Sequence, residues 1–213
     1  AYAPVLCDFG YNDPEQLKTF NLTNSKMGIH LDSNKVAGVD ASTGSLGHGI
    51  PIAAGTAIAA RVLGKDYYTY VVTGDGELDE GSNWEGLMTI RHYNLTNCIT
   101  IVDRNHCMID GNTEDVMKLE PLADKFVAFG FHTIVCEGNN IVSLCKAIDE
   151  AHKTKDKPTV IVADTIKGVG IKLTSGNYKW HYGAIDDEMA KVAAKDLDEY
   201  SAERIARCGK EFE

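Results

Sequence analysis

The residues with the clearest chemical meaning are Gly74, Asp75 and Gly76, which directly follow the apolar run 67–73. An aspartate carboxylate is a hard oxygen ligand that suits Mg²⁺. Flanking glycines let backbone N–H groups approach phosphate oxygens that a side chain would keep away. A second polar residue, Asn105, follows the next apolar run, residues 98–102, after a short gap. These residue types and their spacing predict a site for a phosphorylated cofactor held through a metal ion.

The elements between these residues determine whether they can meet. Residues 79–94 are compatible with a helix, so residues 67–102 are predicted to form a strand, a helix and a second strand. The carboxyl ends of neighbouring parallel strands meet at one edge of a sheet, which is where open α/β sheets bind ligands. We therefore expect Asp75 and Asn105 to lie side by side.

The rest of the chain continues this alternation. Helices are predicted over residues 50–63, 121–129 and 141–153, strands over residues 132–136 and 159–163, and two charged helices after residue 183. The pattern predicts an α/β fold, a doubly wound, mostly parallel sheet with helices on both faces. The length suits a single domain over residues 1–213. A helix-like start without an initiator methionine predicts that the chain begins inside the fold.

Bulk composition argues against several classes of function. The net charge is −10 and is spread along the chain, which disfavours a nucleic-acid partner bound through backbone phosphates. No apolar run approaches the ~18 residues of a membrane span, and no signal peptide is present, so we predict a cytoplasmic protein without a membrane partner. The six cysteines form no CxxC pair, which favours reduced thiols over a zinc site or a disulfide framework.

An aspartate between two glycines is, by itself, also a common turn. Rival phosphate motifs fail, because Asp79 stands where GxGxxG requires its third glycine, and neither GxxxxGKS nor GxxxxGKT occurs. The site hypothesis gains support from two other strings, TGSLGHG at residues 43–49 and KWHYGA at residues 179–184.

Taken together, these strings resemble the thiamine-diphosphate enzymes, and most closely the transketolases. The diphosphate motif of that family begins GDG and ends in Asn, as residues 74–105 do. Residues 39–50, VDASTGSLGHGI, resemble the transketolase loop that contacts the cofactor's aminopyrimidine. Residues 179–184 resemble the KWHGGAP segment, with Tyr182 in place of a glycine. Arg104 precedes Asn105 where the family often has a carboxamide or Asp, a departure that leaves Asn105 itself intact.

The resemblance implies a ligand set for Mg²⁺, or for Ca²⁺ or Mn²⁺ in its place. Asp75, the side chain of Asn105 and the backbone carbonyl of Cys107 would coordinate the ion. Gly76 would donate its N–H to the diphosphate, with Gly74 and Glu77 in the same cofactor-binding turn. Glu77 has a second interpretation that stays open, as a carboxylate favoured by the helix dipole at a helix start.

The resemblance also implies contacts away from the metal ion. Backbone groups of Gly44, Ser45 and Leu46 would contact the aminopyrimidine. His181 would bind near the diphosphate and the substrate hydroxyls, and His30 would contact the donor sugar, which makes both histidines predicted catalytic residues. A histidine in an irregular loop is otherwise usually just solvated.

Two parts of the family pattern are missing. The glutamate that activates the aminopyrimidine belongs to a further domain, and the SKGH segment would fall before Ala1. The resemblance therefore implies the amino-terminal subunit of a split transketolase, which moves a two-carbon ketol unit between sugar phosphates, as in pentose phosphate metabolism. It would act with a carboxy-terminal, pyrimidine-binding subunit, in a heterotetramer with two copies of each chain.

Two alternatives stay open. One is another thiamine-diphosphate reaction, such as deoxyxylulose-phosphate synthesis or 2-oxo-acid decarboxylation, which TGSLGHG and KWHYG disfavour. The other is a subunit that binds cofactor or partner without turnover. Ile29, Leu31 and Tyr182 depart from the family pattern and indicate an altered pocket for an unusual donor ketose.

Overall fold

The computed structural model describes residues 2–211, without the side chains of residues 208–211. Contacts divide the chain into two compact units, residues 1–48 and residues 49–213. That residues 1–213 together form a single diphosphate-binding domain stays a prediction.

The first unit consists mainly of turns. Its regular elements are helix α1 (Tyr2–Asp8) and a 3-10 helix (Pro14–Thr19). Asp13 caps the 3-10 helix, because its side chain accepts the N–H of Glu15 at 2.9 Å. The small core is formed by the buried apolar side chains Ala3, Leu6, Cys7, Met27, Val36 and Val39.

The second unit alternates strands and helices. In chain order its elements are α2 (Gly49–Val62), β1 (Thr69–Gly74), α3 (Gly81–His92), β2 (Cys98–Arg104), β3 (Cys107–Met108), β4 (Gly111–Asn112), α4 (Thr113–Val116), α5 (Leu122–Ala128), β5 (His132–Glu137), α6 (Ile141–Lys153), β6 (Thr159–Asp164) and α7 (Asp187–Glu211). The main sheet has the order β1-β2-β6-β5 and is parallel at each pairing, while β3 and β4 form a separate antiparallel hairpin. The predicted α/β fold with a mostly parallel sheet is confirmed.

Both faces of the main sheet are covered by helices. On one face, α2, α3 and α5 bury Val102 of β2 together with Phe126. On the other face, α6 buries Ile99 of the same strand. Because successive side chains of a strand point to opposite faces, Arg104 lies on the side of Val102 and Asp103 on the side of Ile99. The end of β2 therefore offers charged groups to both faces.

Several boundaries differ from the sequence prediction by one or two residues; β1, for example, is Thr69–Gly74 instead of residues 67–73. Three further differences concern β2, residues 79–94 and the carboxyl end. Strand β2 extends beyond residue 102, because its pairing with β6 continues as far as Arg104 and Asp164. The helix predicted over residues 79–94 is shorter in the structure, because Asp79 ends a 3-10 turn (Gly76–Asp79) and α3 then covers Gly81–His92. The prediction of two charged helices after residue 183 is wrong, because a single helix, α7, occupies this region. No proline or glycine stands between residues 187 and 208 to interrupt it.

The cysteines whose side chains are described are free thiols, namely Cys7, Cys98, Cys107, Cys136 and Cys145. Burial raises the pKa of Cys98 to about 12, so this thiol is unreactive at neutral pH. The side chain of Cys208 lies outside the described residues. Within residues 2–211, no helix has the length and apolar character needed to cross a membrane.

Candidate functional site

The carboxyl ends of β1 and β2 form the centre of the candidate site. Gly74 pairs with Asp103 in the parallel register, so Asp75 and Asn105 follow at the same edge of the sheet. The N–H of Asp75 donates to the carbonyl of Asp103 at 3.1 Å, and the N–H of His106 donates to Oδ2 of Asp75 at 2.8 Å. The predicted proximity of the two strand ends is confirmed. The roles of Asp75 and Asn105 as metal ligands stay predictions.

The carboxylate of Asp75 is fully buried, with 0% of the residue exposed. Its Oδ1 accepts the N–H of Gly76 at 2.8 Å. Its Oδ2 accepts Nη1 of Arg104 at 2.8 Å in addition to the N–H of His106. A buried carboxylate requires such partners, because an unpaired charge is costly in a protein interior. Asp75 is therefore held in one orientation at the strand end.

Arg104 is almost as buried as Asp75, with 3% of the residue exposed. Its guanidinium donates from Nη1 to Asp75 and Thr113, from Nη2 to Glu114 at 2.8 Å and Glu120 at 2.9 Å, and from Nε to Glu120 at 3.2 Å. Burial acts to lower the pKa of Arg104, but hydrogen bonds and charges from Asp75 and Glu120 raise it above its ordinary value. The N–H of Leu122 and then Arg104 lower the pKa of Glu120. One buried cation thus joins three carboxylates.

Asn105 is fixed by a tight turn. Its Nδ2 donates to Oδ2 of Asp103 at 3.0 Å, and its Oδ1 accepts the N–H of Cys107 at 3.1 Å. His106, which lies between Asn105 and Cys107, has a left-handed φ of 63°, which is uncommon for a residue other than glycine. Thr165 donates its hydroxyl to the other oxygen of Asp103. Asp103 therefore orients the Asn105 amide, and the turn brings Cys107 beside it.

The turn Gly76–Asp79 contains Glu77, the residue with two interpretations. Oε2 of Glu77 accepts the N–H of Gly74 at 3.3 Å, so this side chain turns back toward the predicted diphosphate turn. Nδ2 of Asn83 donates to the carbonyl of Glu77 at 2.5 Å, and Nε1 of Trp84 donates to the next carbonyl at 2.8 Å. Helix α3 thereby supports the turn from behind.

The segment that contains His181 packs against the β3–β4 hairpin. Residues Tyr178–His181 form a 3-10 helix that contacts both strands. Asn177 caps this helix by accepting the N–H of Lys179 at 3.1 Å. His181 is exposed, yet desolvation and, to a smaller extent, the charge of Lys167 lower the pKa of its imidazole. A lowered pKa favours the neutral ring at pH 7, which can donate one hydrogen bond and accept another.

The other predicted site residues belong to the first unit. Gly44 has a φ of 138°, and a Cβ at this position would lie 2.6 Å from the ring of His30. The structure therefore brings His30 and Gly44 together, and Gly44, Ser45 and Leu46 are exposed. Their predicted contacts with the aminopyrimidine and the donor sugar stay predictions.

Comparison with known proteins places the chain in a family. Residues 4–201 match the family model described as transketolase, thiamine diphosphate binding domain. An apulose-4-phosphate transketolase subunit from Actinobacillus succinogenes is 39% identical over 196 residues, which cover 92% of this chain and 71% of that relative. The chain belongs to the transketolase family.

Two further matches agree with this membership. A 6-deoxy-6-sulfo-D-fructose transketolase subunit from Clostridium sp. is 36% identical over 91% of this chain and 70% of that relative. The solved transketolase from Campylobacter jejuni superposes with a TM-score of 0.81 and 30% identity, over 86% of this chain and 30% of that one. This family member therefore spans less than a third of the solved transketolase.

The residues at the strand ends fit thiamine diphosphate, which the description of the family names, together with the divalent metal ion that the sequence predicts. The carboxylate of Asp75, the amide of Asn105 and the carbonyl of Cys107 offer hard oxygen atoms of the kind that Mg²⁺ prefers. A Cβ at Gly74 would meet no atom within 4 Å, so there is free space beside Asp75. A Cβ at Gly76 would lie 2.9 Å from Cβ of Met108, so packing alone already requires glycine there.

This ligand set is of mixed type. In the described part of the chain, no group of three or more His, Cys, Asp or Glu residues is arranged to hold a metal ion. The set inferred from the family contains one such side chain, Asp75, and takes its other oxygens from an amide and from the backbone. The two observations are compatible.

Gly74→Ala is expected to weaken the binding of thiamine diphosphate without destabilising the fold. The methyl group meets only open space, so the unfolding free energy should stay equal or rise by about 0.5–1 kcal/mol. The same methyl group would enter the space offered to the diphosphate. Calorimetric titration with the cofactor and Mg²⁺, beside urea unfolding, measures both effects in the complex with the partner subunit.

Gly81→Ala is the matched control, because a Cβ at Gly81 also meets nothing within 4 Å. We expect it to leave cofactor affinity unchanged. Equal cofactor affinity in the wild-type and Gly74→Ala proteins would show that the cofactor does not use this space.

The sequence pattern does not predict the roles of Arg104 and Asp103. In that pattern Arg104 is only a departure beside Asn105, whereas the structure places its guanidinium on Asp75. The available signal was a pair of charged residues at the end of an otherwise apolar strand. Their partners are distant in sequence, so the pair alone does not show which groups they contact.

Proposed function

We propose that this chain is the diphosphate-binding subunit of a two-chain transketolase that transfers a two-carbon ketol unit between sugar phosphates. The observation that carries the proposal is the meeting of Asp75 and Asn105 at adjacent strand ends, beside the free space at Gly74, in a member of the transketolase family. Bound thiamine diphosphate would supply the covalent chemistry of the reaction.

The chain's own residues would bind and orient. Asp75, Asn105 and the carbonyl of Cys107 would hold Mg²⁺. The N–H of Gly76, which donates to Oδ1 of Asp75 in this structure, would donate to the diphosphate when Oδ1 binds the metal ion. Because its lowered pKa favours the neutral form, His181 would hydrogen-bond a substrate hydroxyl either as donor or as acceptor. His30 and the loop containing Gly44, Ser45 and Leu46 would contact the donor sugar and the aminopyrimidine.

A second chain is part of the proposal. The two relatives described above match over more than 90% of this chain, and both are named as subunits of a transketolase. We propose a pyrimidine-binding partner chain and a heterotetramer with two copies of each subunit. The free cysteines of the described residues suit the reducing cytoplasm, which is the proposed location.

The donor is proposed to be an atypical ketose. The same two relatives have names that refer to apulose 4-phosphate and 6-deoxy-6-sulfo-D-fructose. Ile29 and Tyr182, two of the departures from the family pattern, are 50% and 80% exposed and so are available to a ligand. A changed donor sugar would account for changed residues next to His30 and His181.

Co-expression with the product of the adjacent gene tests this function. The purified complex, containing the full natural chain, is assayed for ketol transfer over a panel of ketose and aldose phosphates with thiamine diphosphate and Mg²⁺. We expect transfer by the complex and none by this chain alone. Activity of the isolated chain would contradict the two-subunit proposal.

The same assay separates the alternatives. Release of carbon dioxide from a 2-oxo acid, without ketol transfer, would identify another thiamine-diphosphate reaction. Cofactor binding without turnover on any substrate of the panel would favour a non-catalytic subunit.

A further inference from the structure

Arg104 is a buried cation at the end of a strand whose preceding residues are largely apolar. An arginine side chain has five N–H donors in a planar fork. The described structure directs them to three carboxylates and one hydroxyl, those of Asp75, Glu114, Glu120 and Thr113. Such complete use of a buried guanidinium fixes its position and the positions of its partners.

We propose that Arg104 is a positioning residue for Asp75, an inference that rests on the proposed function. Oδ2 of Asp75 accepts two hydrogen bonds, from Arg104 and from the N–H of His106, which together use its capacity. Oδ1 accepts, within the described residues, only the N–H of Gly76, the next residue along the chain. The guanidinium thus retains one carboxylate oxygen and leaves the other with room for a metal ion.

The positive charge of Arg104 does not by itself exclude a metal ion beside Asp75. Glu114 and Glu120 contact the same guanidinium at 2.8 and 2.9 Å, on the nitrogen that does not bind Asp75. These two carboxylates offset its positive charge, so its main effect at Asp75 is to orient the carboxylate. Loss of the guanidinium leaves Oδ2 with a single donor and lets the carboxylate rotate.

The same guanidinium reaches the segment that follows the hairpin, residues 113–122. Glu114 accepts the N–H of Leu119 at 3.1 Å, and Glu120 accepts the N–H of Leu122 at 2.8 Å. Both carboxylates are also bound to Arg104, so this segment is tied to the position of Asp75 through one side chain. Binding of the metal ion and cofactor at Asp75 should therefore reduce the local opening of residues 113–122.

Titration of Mg²⁺ into the two-subunit complex at constant thiamine diphosphate tests the proposal. The apparent Kd for Mg²⁺ of Arg104→Met should rise about 10–100-fold, the range typical for partners that orient metal ligands. Arg104→Lys should recover part of the affinity, because an ammonium can still donate to Asp75. Glu120→Gln is the matched control, because it alters the same network but keeps the hydrogen bond between Arg104 and Asp75. The side chain of Glu120 is 54% exposed, so solvent already screens the charge that this variant removes, and Glu114 still offsets the charge of Arg104. Its Kd should stay within about two-fold of wild type, well below that range.

Hydrogen exchange gives a second readout that does not depend on activity. In the wild-type complex, addition of Mg²⁺ and thiamine diphosphate should slow amide exchange in residues 113–122, and Arg104→Met should lose this response. Circular dichroism at the assay temperature establishes that each variant is folded. If Arg104→Met does not fold, Arg104→Lys carries the test. Its Kd for Mg²⁺ is expected to be higher than the Kd of wild type and of Glu120→Gln, and lower than the Kd expected for Arg104→Met.

The outcomes separate the inference from the function on which it rests. If wild type binds the cofactor without any need for Mg²⁺, the proposed function fails. If wild type requires Mg²⁺ and a folded Arg104 variant has the wild-type Kd, Arg104 does not position Asp75. Equal losses in Glu120→Gln and the Arg104 variants would mean that the network only stabilises the fold, which also overturns the inference.

Discussion

Asp75→Ala is expected to abolish the magnesium-dependent binding of thiamine diphosphate to the two-subunit complex. The substitution removes the only carboxylate of the proposed ligand set, and no other acidic side chain hydrogen-bonds to the N–H groups of Gly76 and His106 in the described structure. It also leaves a buried guanidinium without one of its partners. Because Glu114 and Glu120 still pair with Arg104, we expect a loss of about 3 kcal/mol in unfolding free energy, near the lower end for a broken buried ion pair.

Two variants separate loss of the ligand from loss of stability. Asp75→Asn keeps the size of the side chain and an oxygen that can accept from Arg104, but it removes the negative charge that Mg²⁺ requires. It should fail to bind the cofactor while unfolding closer to wild type. Asp79→Asn changes an exposed carboxylate of the same turn and should bind normally. A folded Asp75→Asn complex with wild-type cofactor affinity would exclude Asp75 as a ligand.

Asn105→Ala has the second largest expected effect. It removes the proposed amide ligand, so the loss of Mg²⁺ affinity should exceed the 10–100-fold typical of partners that only orient a ligand. It also removes the acceptor for the N–H of Cys107 and the donor to Asp103, which should cost about 1–3 kcal/mol in stability. Cofactor titration at several Mg²⁺ concentrations, beside thermal unfolding, measures the two effects.

Asn112→Ala is the matched control for this variant. Asn112 lies on β4, the second strand of the hairpin that follows Asn105, is exposed, and donates to Asp115 rather than to the site. We expect Mg²⁺ affinity to be unchanged. Equal affinity in Asn105→Ala and Asn112→Ala would remove Asn105 from the ligand set and leave the metal ion bound through other groups.

Much of the fold follows from patterns within single elements. The apolar runs before Gly74 and Asn105, with a helical stretch between them, predict two parallel strands, and the register of β1 and β2 confirms that their ends meet. This prediction succeeds because a helix that packs back along the sheet returns the chain to the edge where β1 begins, so that the next strand can run in the same direction. The neighbourhood of Asp75 and Asn105 is therefore encoded locally.

The contacts that complete the site are not encoded locally. Arg104 reaches Asp75 across 29 positions, and it reaches Glu120 across 16 positions on the other side. These pairings depend on how β2, α4 and α5 pack, which the sequence pattern of each element does not determine. The end of β2 is also not evident from its own sequence. The apolar run stops before the charged residues Asp103 and Arg104, but the pairing with β6 continues through both of them.

The error at the carboxyl end has a related origin. Alternating charges indicate an exposed helix, but they carry no information about whether that helix is interrupted. Residues 187–208 contain no proline or glycine that would interrupt the backbone hydrogen bonds of a helix, so α7 runs without a break from Asp187 to Glu211. At Gly44 the structure adds a reason that the sequence pattern does not contain. The pattern connects this glycine only with the cofactor, whereas its φ of 138° and its closeness to the ring of His30 also require glycine.

The central claim is that Asp75 and Asn105 hold a metal ion that anchors thiamine diphosphate to this chain. Calorimetric titration of the wild-type two-subunit complex with thiamine diphosphate, once with Mg²⁺ and once with all divalent ions chelated, tests it most directly. We predict saturable binding with Mg²⁺ and no detectable binding without divalent ions. Equal affinity under both conditions would contradict the metal-bridged site.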